Sequence, residues 1–345
     1  MTRVRQDDAA PTATYVGFVD RNSPASRKSS GLKFGIFQSG QSTRISENDV
    51  LKNEQSISKC RIVVMDGNIT TRAMAAVAQL VKKYRKLLWF EPTDQLPARK
   101  IFDSTSCDAW QAVTHCSPNW LEFKQILKCL QIELDSDITP FLIAKHPERL
   151  MPILTILRDR SKLANLFVTM GSAGVLNVRF SRPGDFDVRG NDATYKYEDG
   201  PVSYELYPPH NGSSLRSQDI ANPSGAGDCL NAGIIYGIIN NWPMKQSVEL
   251  GNILAAKSLS SIHPVAADIN HIDIKLFESN QPSRLLESLV MVDLHYIAFL
   301  LLVLATVYVD SCKQLGDPRF LRQHELQRPR ENARQQCQDA VSSKV

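Results

Sequence analysis

The sequence predicts an α/β fold with a doubly wound, mostly parallel sheet. Short β-branched or aromatic runs alternate along the chain with segments of helical periodicity, which is the pattern of parallel strands connected by helices. The composition agrees, because 345 residues with 43% hydrophobic and 22% charged residues are ordinary for a globular protein. Repeat, collagen-like and wholly disordered proteins are excluded.

The first strand and helix follow one another closely. RIVVM at 61–65 is a short β-branched run that ends in the turn residues Asp66, Gly67 and Asn68. Residues 70–86 then have helical periodicity, and LLWFEP at 87–92 is the next strand, closed by its proline. This order predicts a strand–helix–strand unit.

The same alternation continues toward the carboxyl end. AWQAVTHC at 109–116 predicts a third strand, and 120–132 a helix. NLFVTMGSAGVLNVRF at 165–180 predicts two strands around a Gly-Ser-Ala-Gly turn. Residues 225–241 predict a helix that ends at Asn240 and Asn241, ahead of a Trp-Pro pair.

The beginning of the chain differs from this pattern. Residues 1–12 are expected to be disordered, and 13–46 form a lid-like hairpin whose two strand-like pieces flank the polar residues 21–30. Asp7 and Asp8 lie where a secretory signal would need its apolar core, so export is not expected. The main domain therefore spans 13–282.

Residues 283–345 form an extension with an apolar helix at 290–309 and a disordered basic tail. Asp293 makes a buried or interfacial helix better supported than a spanning one. From residue 311 the tail has seven Lys or Arg and four Asp or Glu, which would suit a membrane surface. A cytoplasmic protein is expected, and membrane association through this helix is the alternative.

Charge and cysteine spacing exclude two kinds of partner. A net charge of +4 gives no support to nucleic-acid binding. The seven cysteines have no C-x-x-C spacing suited to zinc and predict reduced thiols. His115 is expected to be a packed strand residue and Cys229 a small buried hydrophobe.

The strongest local motif is NPSGAGD at 222–228, directly before a helical run. We expect Ser224 to cap the helix, so that Gly225, Ala226 and Gly227 present unpaired backbone N–H groups to an anion. Asp228 could then accept a proton from an attacking hydroxyl and stay ionised at the helix N-terminus. A capped helix with small residues for close packing is the alternative, and spacing alone leaves both open.

GAGD followed by a small-residue helix resembles the signature of the PfkB-type, or ribokinase-like, carbohydrate kinases. PNWLE at 118–122 resembles their N-x-x-E element, and VTMGSAGVL at 168–176 their nucleotide-side strand and turn. VVMDGNIT at 63–70 and the strand LLWFEP most resemble the pseudouridine kinase branch. No Walker A sequence is present, so a P-loop kinase is excluded. The matches cover about residues 13–268.

The resemblance implies transfer of the ATP γ-phosphate to a sugar or nucleoside hydroxyl, most closely that of pseudouridine, giving pseudouridine 5′-phosphate. Asp228 would be the catalytic base, and the amides of 225–227 would stabilise the transferred charge. Asn119 and Glu122 would organise Mg²⁺ and the phosphates, and a monovalent cation would also fit the family. The structural alternative is an Asn cap with an acid in its first turn.

By the same resemblance, Thr169 and Gly171 would lie beside the nucleotide, and Asn252 would lie on the helix that flanks the adenine. Asp66 and Asn68 would contact the substrate, since open α/β folds bind ligands at the carboxyl edge of the sheet. Each residue also has a structural alternative, namely a hairpin turn, a closely packed helix or a tight turn.

The family's domain begins with a strand and a paired-glycine motif that build much of the sugar pocket, and nothing before residue 12 supplies them. We therefore expect a partial domain whose exposed apolar faces favour a homodimer, instability or an inactive product. Three hypotheses follow: a pseudouridine kinase, an inactive remnant that binds nucleotide or a protein partner, and a kinase of the same fold for another sugar or nucleoside.

Overall fold

The computed structural model describes residues 14–19, 32–38, 45–103, 108–181, 201–210, 220–267 and 269. The predictions for 1–12, 21–30 and the extension 283–345, with its apolar helix and basic tail, lie outside these residues. No helix within the described ranges is long and apolar enough to cross a bilayer.

A six-stranded mixed sheet organises the described domain. Its six strands lie side by side in chain order. The first four are parallel, the fifth pairs antiparallel with the fourth, and the sixth pairs antiparallel with the fifth. The strands are β3 (Ile62–Asp66), β4 (Leu87–Glu91), β5 (His115–Cys116), β6 (Asn165–Thr169), β7 (Val175–Phe180) and β8 (Val202–Tyr207). A mostly parallel core of the sheet is confirmed.

Helices connect and cover the strands. They are α1 (Glu47–Lys52), α2 (Glu54–Lys59), α3 (Thr71–Lys83), α4 (Gln95–Arg99), α5 (Trp120–Cys129), α6 (Pro140–Lys145), α7 (Met151–Asp159), α8 (Ala226–Ile239) and α9 (Met244–Ser260). The helices predicted at 70–86, 120–132 and 225–241 are confirmed, with slightly shorter ends.

Alternate side chains of one strand pack on opposite faces of the sheet. Leu88 and Phe90 of β4 join the core formed with α3, α5 and α7. Trp89, between them, joins the core formed with α8 and α9, where Ile234 and Val248 are also buried. Because the sheet is buried on both faces, the doubly wound prediction is confirmed.

α8 is packed between the sheet and α9, and apart from Asp228 and Asn231 in its first half its side chains are apolar or small. Small residues allow α8 and α9 to approach closely. A Cβ atom added at Gly233 would lie 2.5 Å from the Cα atom of Gly251, and one added at Gly237 would overlap Ser247. The glycines after the GAGD motif therefore serve packing between these helices.

The third strand is shorter than predicted. Only His115 and Cys116 pair as β5, while Ala109–Ala112 form a 3₁₀ turn. Ala109, Trp110 and Ala112 are all buried, so they lack the two-faced alternation of a strand. The Trp110 ring packs against Phe102 at 5.0 Å between ring centroids, and this tertiary contact favours the turn.

The strand pair predicted near the beginning is confirmed. β1 (Thr14–Val19) pairs antiparallel with β2 (Leu32–Gln38), with Gly17 opposite Gly35. This ribbon is separate from the six-stranded sheet.

Candidate active site

The candidate site lies at the carboxyl edge of the parallel strands. Asp66 ends β3, Glu91 ends β4 and Thr169 ends β6. Asn119 forms a parallel bridge with Thr169, which brings the start of α5 to the same edge. Asp228 comes from the first turn of α8 and interacts electrostatically with Asp66. Ligands of open α/β folds bind at this edge.

The cap of α8 differs from the prediction. The N-cap is Gly225, with φ +85° and ψ −9°, and the helix begins at Ala226. Ser224 instead donates its backbone N–H to Asn222 Oδ1 at 2.9 Å. Glycine is required at 225 because an added Cβ would overlap the Pro264 backbone and lie 2.8 Å from its Cβ. This close approach decides which residue caps the helix.

The first turn of α8 is open to a ligand. The first intrahelical bond runs from the Cys229 N–H to the Gly225 carbonyl at 2.9 Å, which leaves the amides of 226–228 without an intrahelical acceptor. Gly227 is exposed, and an added Cβ would meet no atom within 4 Å. An anion can therefore approach the backbone of Ala226 and Gly227.

Asp228 is half-buried beside these amides. Burial, and to a smaller extent the charge of Asp66, raises the pKa of Asp228 to about 6. The carboxylate is largely ionised at pH 7, so it can accept a proton from a hydroxyl group. Burial opposes the ionisation that the helix N-terminus favours.

Asn119 and Glu122 form a capping box at the start of α5. The Asn119 Oδ1 accepts from the Leu121 and Glu122 amides at 2.9 and 3.0 Å. The Glu122 carboxylate accepts from the Asn119 backbone N–H at 2.8 Å and from its Nδ2 at 2.7 Å. The structural alternative from the sequence is thus present, with the Glu122 carboxylate turned toward its own cap.

Glu122 is 2% exposed. Burial raises the pKa of Glu122 to about 7. The hydrogen bond from Asn119 lowers this pKa, whereas the charges of Asp94 and Asp228 raise it. A cation would stabilise the ionised carboxylate. Mg²⁺ needs only one or two carboxylates when phosphates supply other ligands, so this donor set fits a phosphate-bound magnesium. Among the described residues, no three His, Cys, Asp or Glu side chains converge as a metal site.

Glu91 was missed by the sequence analysis. Its Oε2 accepts from Ser117 Oγ and from Asn231 Nδ2, both at 2.6 Å. Burial raises the pKa of Glu91 well above its ordinary value, and the charges of Glu122 and Asp228 raise it further. The available signal was an acid directly after an apolar strand and before a proline.

The Asp66–Asn68 loop is a tight turn fixed by several hydrogen bonds. Asp66 Oδ1 accepts from the Asn68 N–H at 2.9 Å, and the Gly67 N–H donates to the Glu91 carbonyl at 2.8 Å. Lys100 Nζ donates to the carbonyls of Gly67 and Asn68 at 2.8 and 2.9 Å. The turn reading is confirmed, and the turn lies at the candidate site.

Thr169 lies at the site, while Gly171 lies on the turn after β6 and Asn252 lies on α9. The Thr169 N–H donates to the Pro118 carbonyl at 2.9 Å, next to the α5 cap. Gly171 has φ +59° and is exposed at the turn between β6 and β7. Asn252 Nδ2 donates to the Pro208 carbonyl at 3.2 Å and so joins α9 to the segment after β8.

His115 and Cys229 are packed, as predicted. His115 is 2% exposed, stacks on Trp89 and contacts Asn165 Nδ2 at 3.2 Å. Burial lowers the pKa of His115 to about 4, so its ring is neutral at pH 7. Burial also raises the pKa of Cys229 to about 12, so this thiol is not a ready nucleophile.

Comparison with known proteins adds a family match. Residues 210–268 match the pfkB family of carbohydrate kinases. The chain is 25% identical over 231 residues to the pseudouridine kinase of Arabidopsis thaliana, covering 59% of this chain and 58% of that protein. It is 31% identical over 77 residues to the 5-dehydro-2-deoxygluconokinase of Geobacillus kaustophilus (strain HTA426), covering 22% of this chain and 23% of that one. The chain thus spans well under two thirds of either relative.

Solved structures share the fold at low sequence identity. A probable sugar kinase from Rhizobium etli CFN 42 has a TM-score of 0.52 at 15% identity, with 77% of this chain and 66% of that chain covered. The ribokinase of Giardia lamblia has a TM-score of 0.51 at 16% identity, with 80% and 74% covered. The described chain therefore shares the α/β fold of these two structures, and its residues 210–268 match the pfkB family of carbohydrate kinases.

Proposed function

We propose that this protein is a kinase that transfers the γ-phosphate of ATP to a hydroxyl group of a sugar or nucleoside. The observation that carries the proposal is the placement of Asp228 beside the open first turn of α8, inside the segment that matches the pfkB family. A half-buried base and free backbone donors stand together at the carboxyl edge of the sheet. Phosphoryl transfer needs both.

In this mechanism Asp228 accepts the proton of the acceptor hydroxyl. The resulting oxygen forms a bond to the γ-phosphorus while the bond from that phosphorus to the β–γ bridging oxygen breaks, which releases ADP. The amides of Ala226 and Gly227 donate hydrogen bonds to the oxygens of the transferred group, because negative charge there must be stabilised without water. Gly227 leaves room for the phosphoryl group to reach the backbone.

Asn119 and Glu122 are proposed to hold the magnesium–phosphate end of the nucleotide. Mg²⁺ would neutralise phosphate charge there. The raised pKa of Glu122 supports the assignment, since a cation nearby would favour the ionised carboxylate. Thr169, Gly171 and Asn252 are proposed to flank the nucleotide from the β6–β7 turn and α9.

Pseudouridine is the acceptor we favour, with Asp66 and Asn68 as its proposed contacts. The curated relative with the longer alignment, 231 residues, is a pseudouridine kinase. The 66–68 turn is held rigidly by Lys100 at the edge where Asp228 stands. We also propose a cytoplasmic location, consistent with cysteines that have no zinc spacing and are predicted to be reduced thiols.

A second candidate is a protein that binds nucleotide without transferring phosphate. It is favoured by the Glu122 carboxylate, which is occupied by both nitrogens of Asn119. A partial domain would leave apolar side chains uncovered at the edge of its sheet, and Val64 on the outer strand β3 is 44% exposed. Such a protein would bind the phosphates of ATP through the open first turn of α8.

The test is ATP consumption by the purified chain with Mg²⁺ and a panel of pseudouridine, uridine, adenosine and ribose. Asp228→Asn should abolish turnover, and Asp159→Asn, which removes an exposed acid at the end of α7, should leave it intact. Turnover with none of the four acceptors contradicts the kinase proposal. Thermal stabilisation by MgATP in that case would favour the second candidate.

A further inference from the structure

Asn231 connects the start of α8 to the sheet. It lies three residues after Asp228, so both side chains project from the same face of the helix. Asn231 is 8% exposed, and its Nδ2 donates to Glu91 Oε2 at 2.6 Å. This bond joins α8 to the end of β4 across 140 residues of sequence.

Glu91 is held from its other side by a buried chain of hydrogen bonds. Ser117 Oγ donates to the same Glu91 oxygen at 2.6 Å, and Trp89 Nε1 donates to Ser117 Oγ at 2.8 Å. Trp89 is fully buried and stacks against Phe167 at 5.2 Å between centroids. The position of the Glu91 carboxyl is therefore fixed by the interior of the sheet.

Other restraints on the start of α8 come from the segment at Pro264 and do not reach the sheet. Gly225 lies against the Pro264 backbone and provides no capping side chain, and Cys229 Sγ donates a long hydrogen bond of 3.7 Å to the Pro264 carbonyl. The contacts of α8 with the sheet through Leu230 and Ile234 are apolar and non-directional. A short hydrogen bond to a fixed carboxyl supplies the direction that these contacts lack.

We propose that Asn231 and Glu91 are positioning residues that fix the first turn of α8 against the end of β4 and so hold Asp228 in its working position. Neither residue needs to touch the acceptor or the nucleotide. The consequence for phosphoryl transfer rests on the proposed function, whereas the anchoring of the helix does not.

Asn231→Leu removes the hydrogen bond while keeping the volume of the side chain. Misplacement of a reacting group by 1 Å can cost about a hundredfold in rate, so we expect kcat to fall by about ten- to a hundredfold with the KM for ATP nearly unchanged. Glu91→Gln keeps an oxygen that can accept from Ser117 and Asn231, so it should retain most of kcat. Glu91→Ala removes the acceptor for both hydrogen bonds, so we expect its kcat to fall as in Asn231→Leu.

The matched control is Asn240→Ala at the other end of α8. Asn240 Nδ2 also donates one hydrogen bond, to the Tyr236 carbonyl at 2.9 Å, but far from Asp228. Both variants lose one asparagine hydrogen bond from the same helix. Ser117→Ala provides a second test from the sheet side, in case Asn231→Leu does not fold.

Hydrogen exchange of the amides of 229–232 is measured beside kcat, because these amides close the first turns of α8. Faster exchange in Asn231→Leu or Ser117→Ala, but not in Asn240→Ala, supports the anchor. Unchanged exchange overturns it, whatever the activity. A loss of kcat equal to that in Asn240→Ala also overturns the positioning role. If the wild-type protein shows no turnover but exchange is still faster in Asn231→Leu or Ser117→Ala, the kinase function is refuted and the anchoring of α8 is supported.

Discussion

Asp66 at the end of β3 and Asp228 at the start of α8 interact as like charges, and the charge of Asp66 contributes to the raised pKa of Asp228. The two residues are 162 positions apart in sequence, so only the fold brings them together. Burial, with a smaller contribution from the charge of Asp66, raises the pKa of Asp228 to about 6, and this value makes the pH dependence of turnover a direct test of the site.

Turnover should fall as pH decreases through about 6, because protonated Asp228 cannot accept the hydroxyl proton. Asp66→Asn removes the like charge and should move this acidic limb to lower pH. Burial is the larger cause of the shift, so part of it should remain. The measurement is kcat/KM against pH for wild type and Asp66→Asn, with Asp159→Asn as the control. An acidic limb that stays in place or moves upward would contradict the prediction.

Stability without Mg²⁺ or nucleotide should decrease as pH rises from about 5 to about 8. The pKa values of Asp228 and Glu122 are raised to about 6 and about 7, and that of buried Glu91 is also raised, so these three groups bind more protons in the folded state. Buried His115, with its pKa lowered to about 4, acts in the opposite direction and offsets only part of this difference. Ionisation at higher pH then costs folding free energy. Glu122→Gln should flatten the part of the profile near pH 7. Urea unfolding at several pH values measures this, and stability that rises with pH over this window would refute it.

Gly225→Ala and Gly227→Ala form a matched pair two residues apart. Gly225 has φ +85° and lies against Pro264, so alanine there should destabilise the fold by about 1 to 3 kcal/mol. Gly227 has no neighbour at its Cβ position, so alanine should leave the melting temperature unchanged or slightly raised. Its methyl group should instead reduce turnover by keeping the phosphoryl group from the backbone. Thermal melts and kcat are the measurements, and equal effects of both variants on stability would contradict the assigned roles.

The sequence predicts the order of strands and helices because the spacing of apolar residues within each segment distinguishes a strand from a helix. It also singles out Asp228, Asn119 and Asp66, since each ends a strand or lies at the start of a helix, and the structure places them at one edge of the sheet. It does not find Glu91, whose partners Ser117 and Asn231 are 26 and 140 residues away.

The same limit explains the wrong cap of α8. Serine is a good N-cap by local preference, but close contact with Pro264 makes Gly225 the cap. Local preference also predicts a strand over the whole of 109–116, whereas the packing of Trp110 on Phe102 gives a turn at 109–112 and only His115 and Cys116 pair as a strand. In each case a contact between distant segments overrides the local preference.

Lys100 is expected to control the acceptor side of the site. Its ammonium holds the carbonyls of Gly67 and Asn68, and hydrogen bonds from a charged donor contribute about 1.5 to 3 kcal/mol each to stability. Lys100→Met should release the 66–68 turn, lower stability, and raise the KM for the acceptor by about tenfold, which corresponds to about 1.4 kcal/mol. The KM for ATP should remain unchanged, because Lys100 contacts the β3 end of the edge.

Lys82→Met, which removes an exposed lysine from the last turn of α3, is the control for charge and should change neither KM value. Steady-state kinetics with ATP and acceptor varied in turn would separate the two effects. An equal rise in both KM values would indicate a general loss of structure, and an unchanged KM for the acceptor would show that the 66–68 turn is not part of the acceptor site.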